Sequence, residues 1–197
     1  MFSSINIIDL LQSGHEAEVQ EMLSAFSCEY SPKTHNTEVE TFLKENAIKF
    51  AQQKISITYL VLNDVGELVG IYTLTHKPIS VKDNDLSNTT KKKLKRYSEF
   101  DPELNAFVTS GFLIAQFSKN YADIKGDRIS GNDLMSQALS DIKDIQKKIG
   151  GGIVFLECND TPKLLQFYKN EQNLFREFGE RNSKNDDVKY IQLLRVL

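Results

Sequence analysis

Residues 106–152 constrain the fold more than any other stretch, because an apolar strand there passes through a polar loop into an amphipathic helix. From Phe112 to Ala115 both alternating faces are apolar, as in a central strand covered on two sides. The strand is expected over 106–116, the loop over 117–130 and the helix over 131–148. Met135, Leu139, Ile142 and Ile149 recur at helical spacing, with Leu134, Ala138 and Ile145 widening the stripe. Ser130 is a good N-cap, and Asp133 three residues on makes a variant of the capping box. Lys147 and Lys148 suit the negative end of the helix dipole, and Gly150-Gly151-Gly152 stops the helix. A helix N-terminus fed from a buried strand offers its unpaired N–H groups to a phosphate.

Around this unit the period of the apolar residues changes twice. Ile5, Ile7 and Ile8 suggest an edge strand, and helices are expected over 16–26 and 37–52, separated by a loop with a Ser31-Pro32 break. A hairpin follows: strand 55–62, turn 63–66 and strand 68–75, with Pro78 ending it. A helix over 86–100, capped by Ser87, carries Lys91-Lys92-Lys93-Leu94-Lys95-Arg96. That run reads either as an anion-binding patch or as a solvated helix face, and the second reading is preferred because acids elsewhere balance it. Beyond the glycines, 153–158 is a second apolar strand, 163–169 a short helix, Phe175 and Phe178 mark a strand, 181–187 an exposed loop and 190–196 a last strand.

The totals narrow the class. A chain of 197 residues fits one domain with a proper core, and the net charge of −3 argues against a coat of positive charge for nucleic acid. No apolar run reaches the roughly 18 residues of a membrane span, and Met1-Phe2-Ser3-Ser4 lacks the basic and apolar regions of a secretion signal. Cys28 and Cys158, far apart, read as free buried thiols of a cytoplasmic protein. His15, His35 and His76 are scattered, so no metal site is expected.

Three stretches carry a resemblance: ISITYLVLNDVGELVGIYTLTHKPI (55–79), FLIAQFSKNY with GDRISGNDLM (112–121 and 126–135), and ECNDTPKLLQFYKN (157–170). In this order they resemble the GNAT superfamily of acyl-CoA N-acyltransferases. FSCEY and VETFLKENAIKFAQQKISITYLVL are similar to the front of its toxin-type branch, whose members acetylate aminoacyl-tRNA and pair with antitoxins. The resemblance implies an α/β (α+β) fold: a mixed, mostly antiparallel sheet flanked by helices, with two splayed parallel strands, over a single domain 1–197. In the pyrophosphate loop of the family, Gln/Arg-x-x-Gly-x-Gly/Ala, Gly131 matches the second glycine, Ile129 replaces the first, and Gly126 falls where Gln or Arg is usual. Ile129 is tolerable at negative φ and strained at positive φ. The usual Gly-Phe after the short helix is absent, and Asn173-Leu174-Phe175 stands in, with Asn173 suited to a left-handed turn.

The resemblance also implies a site. Acetyl-CoA would be the acyl donor, its pantetheine paired with the backbone of Leu113, Ile114, Ala115 and Gln116, and its pyrophosphate held by N–H groups of Arg128, Ile129, Ser130, Gly131 and Asn132. Asn159 would border the cofactor, Tyr168 would protonate the leaving thiolate, and Glu157 is the candidate base. Asp133 would repel a phosphate unless it turns back to cap the helix. Three readings stay open: an N-acetyltransferase of unknown amine acceptor, a toxin-type enzyme acting on tRNA with an antitoxin partner, and a silent acyl-CoA-binding module. Membrane association is not expected, and a homodimer is left open.

Overall fold

The computed structural model describes residues 1–29, 37–82, 86–182 and 188–197. The Ser31-Pro32 break, His35 and most of the 181–187 loop lie outside the described residues. The first half runs β1 (Ser3–Asn6), α1 (Ile7–Gln12), α2 (Glu16–Ser24), α3 (Thr37–Glu45), α4 (Ala47–Gln52), β2 (Ile57–Leu62), β3 (Leu68–Lys82) and α5 (Asn88–Leu94). The second runs β4 (Glu99–Asp101), β5 (Ala106–Lys119), α6 (Gly131–Ile149), β6 (Ile153–Asn159), α7 (Pro162–Lys169), β7 (Arg176–Asn182) and β8 (Lys189–Val196). The sheet order is β1-β2-β3-β5-β6-β8-β7, with β4 paired to β5. β5 and β6 are parallel, while β1–β2, β2–β3, β4–β5, β6–β8 and β7–β8 are antiparallel. This is the mixed, mostly antiparallel sheet that the resemblance implies.

Contacts gather into two compact units, Met1–Thr75 with Ile114–Ala138, and His76–Leu113 with Leu139–Leu197. In the first, Ile7, Val19, Leu23, Leu43, Ala51, Leu60 and Ile71 form a buried cluster. The strand expected at Ile5–Ile8 stops at Asn6, whose side chain accepts the Ile8 N–H at 2.9 Å and caps a helix. Ile7 and Ile8 therefore open α1 instead of extending the edge. The helix expected over 37–52 is two, broken at Asn46 (φ −121°, ψ −26°). Between β2 and β3 the Thr58 and Thr73 hydroxyls pair at 2.9 Å and the rings of Tyr59 and Tyr72 stack at 5.1 Å, which fixes the register.

β3 does not end at Pro78 but continues to Lys82. β2 pairs only as far as Ile57↔Leu74, so the N–H that Pro78 lacks falls beyond the β2 ladder. In the second unit Val81, Leu94, Phe107, Ile153, Phe155 and Leu194 form their own cluster. α5 ends at Leu94 rather than Phe100, because Glu99 and Phe100 pair with Val108 and Phe107 of β5 as β4. The predicted α6 stripe is buried through Ile142, but Ile149 is 65% exposed, since Gly150 (φ 77°) and Gly151 (φ 90°) turn the chain away immediately after it.

The turn after α7 uses a residue other than the predicted Asn173. Asn173 is buried, its Nδ2 donating to the Phe167 carbonyl at 2.8 Å, and Leu174 takes the left-handed conformation at φ 56°. A leucine there is strained, and its side chain is 46% exposed. Leu174→Gly should raise stability by about 1 kcal/mol, read as a higher urea midpoint at unchanged slope. A lower midpoint would show that packing of the leucine outweighs the strain.

Candidate functional site

In the first unit β5 is followed at once by Asn120, which is buried and has every polar group engaged. Its Oδ1 accepts the N–H groups of Ser27 and Ala122, both at 3.0 Å, and its Nδ2 donates to the Leu68 carbonyl at 2.7 Å. Its own N–H donates to Val69 at 2.9 Å. The loop beyond is folded back by Arg128, whose guanidinium donates to the carbonyls of Asn120 (3.3 Å) and Ala122 (2.9 Å). Arg128 therefore shapes the loop through two of its own N–H groups.

A second anchor comes from the turn between β2 and β3. The Glu67 carboxylate accepts the Lys125 N–H at 2.9 Å and the Gly126 N–H at 2.8 Å, and the Asn63 Nδ2 donates to it at 3.0 Å. The Lys125 N–H contributes most to holding the Glu67 carboxyl below the usual carboxylate range, followed by Asn63 and the Gly126 N–H. A Cβ on Gly126 would lie 2.4 Å from Asn63 Nδ2 and 2.8 Å from Val65 Cγ2, so any larger residue there must push the Asn63 amide off its place.

Ile129 is 2% exposed and is not among the residues of positive φ, so the replaced glycine leaves a buried, unstrained anchor. Ser130 Oγ accepts the Asp133 N–H at 3.1 Å and donates to Asp133 Oδ2 at 2.6 Å. Asp133 is thus turned back onto the cap. Leu134 presses on β3, its methyl carbons 3.1 Å from where a Cβ of Gly70 would stand. α6 opens at Gly131, within the stretch 128–132, and the Leu134 N–H donates to the Ser130 carbonyl at 3.0 Å.

In the second unit β5 pairs with β6 at Phe112↔Val154 and Leu113↔Phe155, with no further β5–β6 pair among the described residues. β6 remains paired to β8 along its whole length, to Asn159↔Tyr190. Glu157 is held by Arg181 at 2.6 Å through Oε2 and by Gln192 at 2.8 Å through Oε1. Arg181 also lies over the Tyr190 ring, 4.7 Å from its centroid. The Asn159 carbonyl accepts the Thr161 N–H at 2.7 Å at the entry to α7. Tyr168, 7% exposed, meets the rings of Phe167 (4.9 Å) and Phe175 (6.0 Å) edge-on. Burial first, and Cys158 second, push its hydroxyl well above the ordinary phenol range. Burial likewise pushes the thiols of Cys28 and Cys158 up to about 11, so both are free but stay protonated near neutral pH.

Residues 114–116 and 128–132 thus fall in one unit, and Leu113, Glu157, Asn159 and Tyr168 in the other. Sequence reasoning did not assign Asn63, Glu67, Asn120, Arg181 or Gln192. The Asn63–Gly66 turn was visible, but its reach to residues 125–127 leaves no periodic signal. Among the described residues no group of three His, Cys, Asp or Glu side chains could hold a metal, and no helix is long and apolar enough to cross a membrane.

No family pattern and no curated protein matches the sequence. Solved structures do match. A bacterial toxin superposes over 100% of this chain and 90% of its own at TM-score 0.65 and 14% identity. AtaT complexed with acetyl-methionyl-tRNAfMet covers 96% of this chain and 94% of its own at TM-score 0.62 and 15% identity. AtaTR bound with AcCoA covers 96% and 91% at TM-score 0.55 and 15% identity. With the parallel β5–β6 pair set in a largely antiparallel sheet, and α6 following β5, the chain shares the GNAT fold of these structures.

Proposed function

We propose that this chain is an acetyl-CoA-dependent N-acetyltransferase. The observation that carries the reading is the N-terminus of α6, where Asp133 is folded onto Ser130 and the loop before it is tied to Asn120 and Glu67. A cap in that state removes the objection that Asp133 would repel a pyrophosphate, and the backbone N–H groups of Arg128, Ile129, Ser130, Gly131 and Asn132 are assigned to it. The backbone of Leu113, Ile114, Ala115 and Gln116 is assigned to the pantetheine amides, with Asn159 at the border. AtaTR binds AcCoA on the same fold, which supports the donor.

In the reaction a neutral amine attacks the thioester carbonyl, the C–S bond breaks, and the thiolate takes up a proton as the ammonium loses one. Tyr168 is assigned the proton for sulfur. The role of Glu157 as base competes with its ion pair to Arg181, so an amine that is already largely neutral suits this chain best. An aminoacyl α-amino group is such an amine. Lys92, Lys93, Lys95 and Arg96 are exposed and make no ion pair among the described residues, which favours the second reading, an aminoacyl-tRNA acceptor. A cytoplasmic setting, where acetyl-CoA is supplied, belongs to both readings.

Acetyl-CoA at a hundred times its dissociation constant should stabilise the protein by about 2.7 kcal/mol. The thermal shift should vanish in Gly131→Arg, which fills the phosphate seat. No shift in the parent protein would end the proposal; a shift without acetylation of any amine or aminoacyl-tRNA offered would leave a binding module.

A further inference from the structure

We infer that Glu67 is a positioning residue for the acyl donor: its carboxylate, gripped by the N–H groups of Lys125 and Gly126, sets the course of the loop that presents residues 128–132 to the pyrophosphate. This rests on the acyl-donor reading above. A carboxylate has two oxygens and the loop offers two successive N–H groups, 2.9 and 2.8 Å away, so each oxygen takes one. The second oxygen also accepts the Asn63 amide at 3.0 Å. Asn63 is itself fixed, its Oδ1 accepting the N–H groups of Glu67 (2.8 Å) and Val65 (3.2 Å) and its Nδ2 reaching the Asp127 carbonyl at 3.5 Å. One turn between two strands thus grips residues 125, 126 and 127 in succession.

Two consequences follow for the donor. The N–H groups of Lys125 and Gly126 are occupied by an anion that belongs to the chain, so a phosphate is confined to the N–H groups beyond them. This long-range contact holds the loop in a sequence that has Ile129 and Gly126 where the loop it resembles has glycine and Gln or Arg. Glu67 touches no reacting atom in this scheme; it acts through the loop.

Full-length Glu67→Gln is the test, because its side-chain NH₂ faces a backbone donor and cannot accept it. Amide exchange at Lys125 and Gly126 should accelerate, and the dissociation constant for CoA by calorimetry should rise about tenfold with kcat unchanged. Lys125→Pro removes one donor from the other side of the contact and should weaken CoA in the same way. CoA binding unchanged in both variants would overturn the role of Glu67 while leaving the donor reading intact. Failure of the parent protein to bind CoA would overturn both, and the exchange measurement, which needs no ligand, separates a loosened loop from an unfolded chain.

Discussion

Tyr168→Phe should lower kcat for acetyl transfer by about 10²–10³-fold while leaving the acetyl-CoA dissociation constant and the melting temperature near those of the parent. The substitution removes one oxygen from a ring held edge-on by Phe167 and Phe175 and leaves that packing in place. A phenol whose pKa burial has raised holds its proton at any working pH, so the donor form is always populated. Giving that proton to a thiolate in water would be uphill. A thiolate expelled in a buried setting is a stronger base, as Cys28 and Cys158 of this chain illustrate, with thiols pushed up to about 11 by the same desolvation. The hydroxyl and the leaving sulfur are therefore matched only while the sulfur is out of water. Stopped-flow release of CoA reads the step directly. A kcat within about twofold of the parent would reduce Tyr168 to a core aromatic, since general acid catalysis by a placed group contributes far more than that.

Asn120→Ala should cost about 3 kcal/mol of folding stability and, at temperatures where the chain remains folded, should abolish CoA binding. The side chain satisfies three backbone groups at once: the N–H groups of Ser27 and Ala122 and the carbonyl of Leu68. Each buried group left without a partner costs about 1–3 kcal/mol, and water entering the space left by the amide recovers part of that. The affinity should fall with the stability because Ala122 is also where Arg128 ties down the loop. Urea unfolding monitored by circular dichroism measures the first effect and calorimetry the second. A loss under about 1 kcal/mol would mean that the three contacts are replaced by solvent at little cost.

How far these features could be read in advance depended on the range of the interactions that make them. α6 and the β2–β3 hairpin follow from neighbours three, four or two residues apart, and both were legible, down to the reciprocal pairing of Ser130 with Asp133. β3 runs on past Pro78, where a proline is disruptive only if a partner strand needs its N–H, and the β2 ladder, one of the two beside β3, stops at Ile57. β4 was missed for the complementary reason: Glu99 and Phe100 leave the helix to meet Val108 and Phe107, and that preference belongs to the pair. The triplet Ile5, Ile7 and Ile8 fits either period, and the Asn6 cap decided between them. Glu67 stands 58 residues from Lys125, so a tie between them leaves no local pattern.

The exchange of Ile129 and Gly126 separates two uses of glycine that loop motifs usually combine. Where a motif asks for glycine to permit an unusual torsion, this chain has a bulky branched residue at an ordinary one; where the motif asks for a long polar side chain, it has glycine for want of room. Mutational tolerance should therefore run opposite to the motif's lettering, with conservative aliphatic replacements accepted at 129 and even alanine rejected at 126. A profile scored on letters alone would rank this loop as degenerate, although its steric demand has only moved three residues upstream.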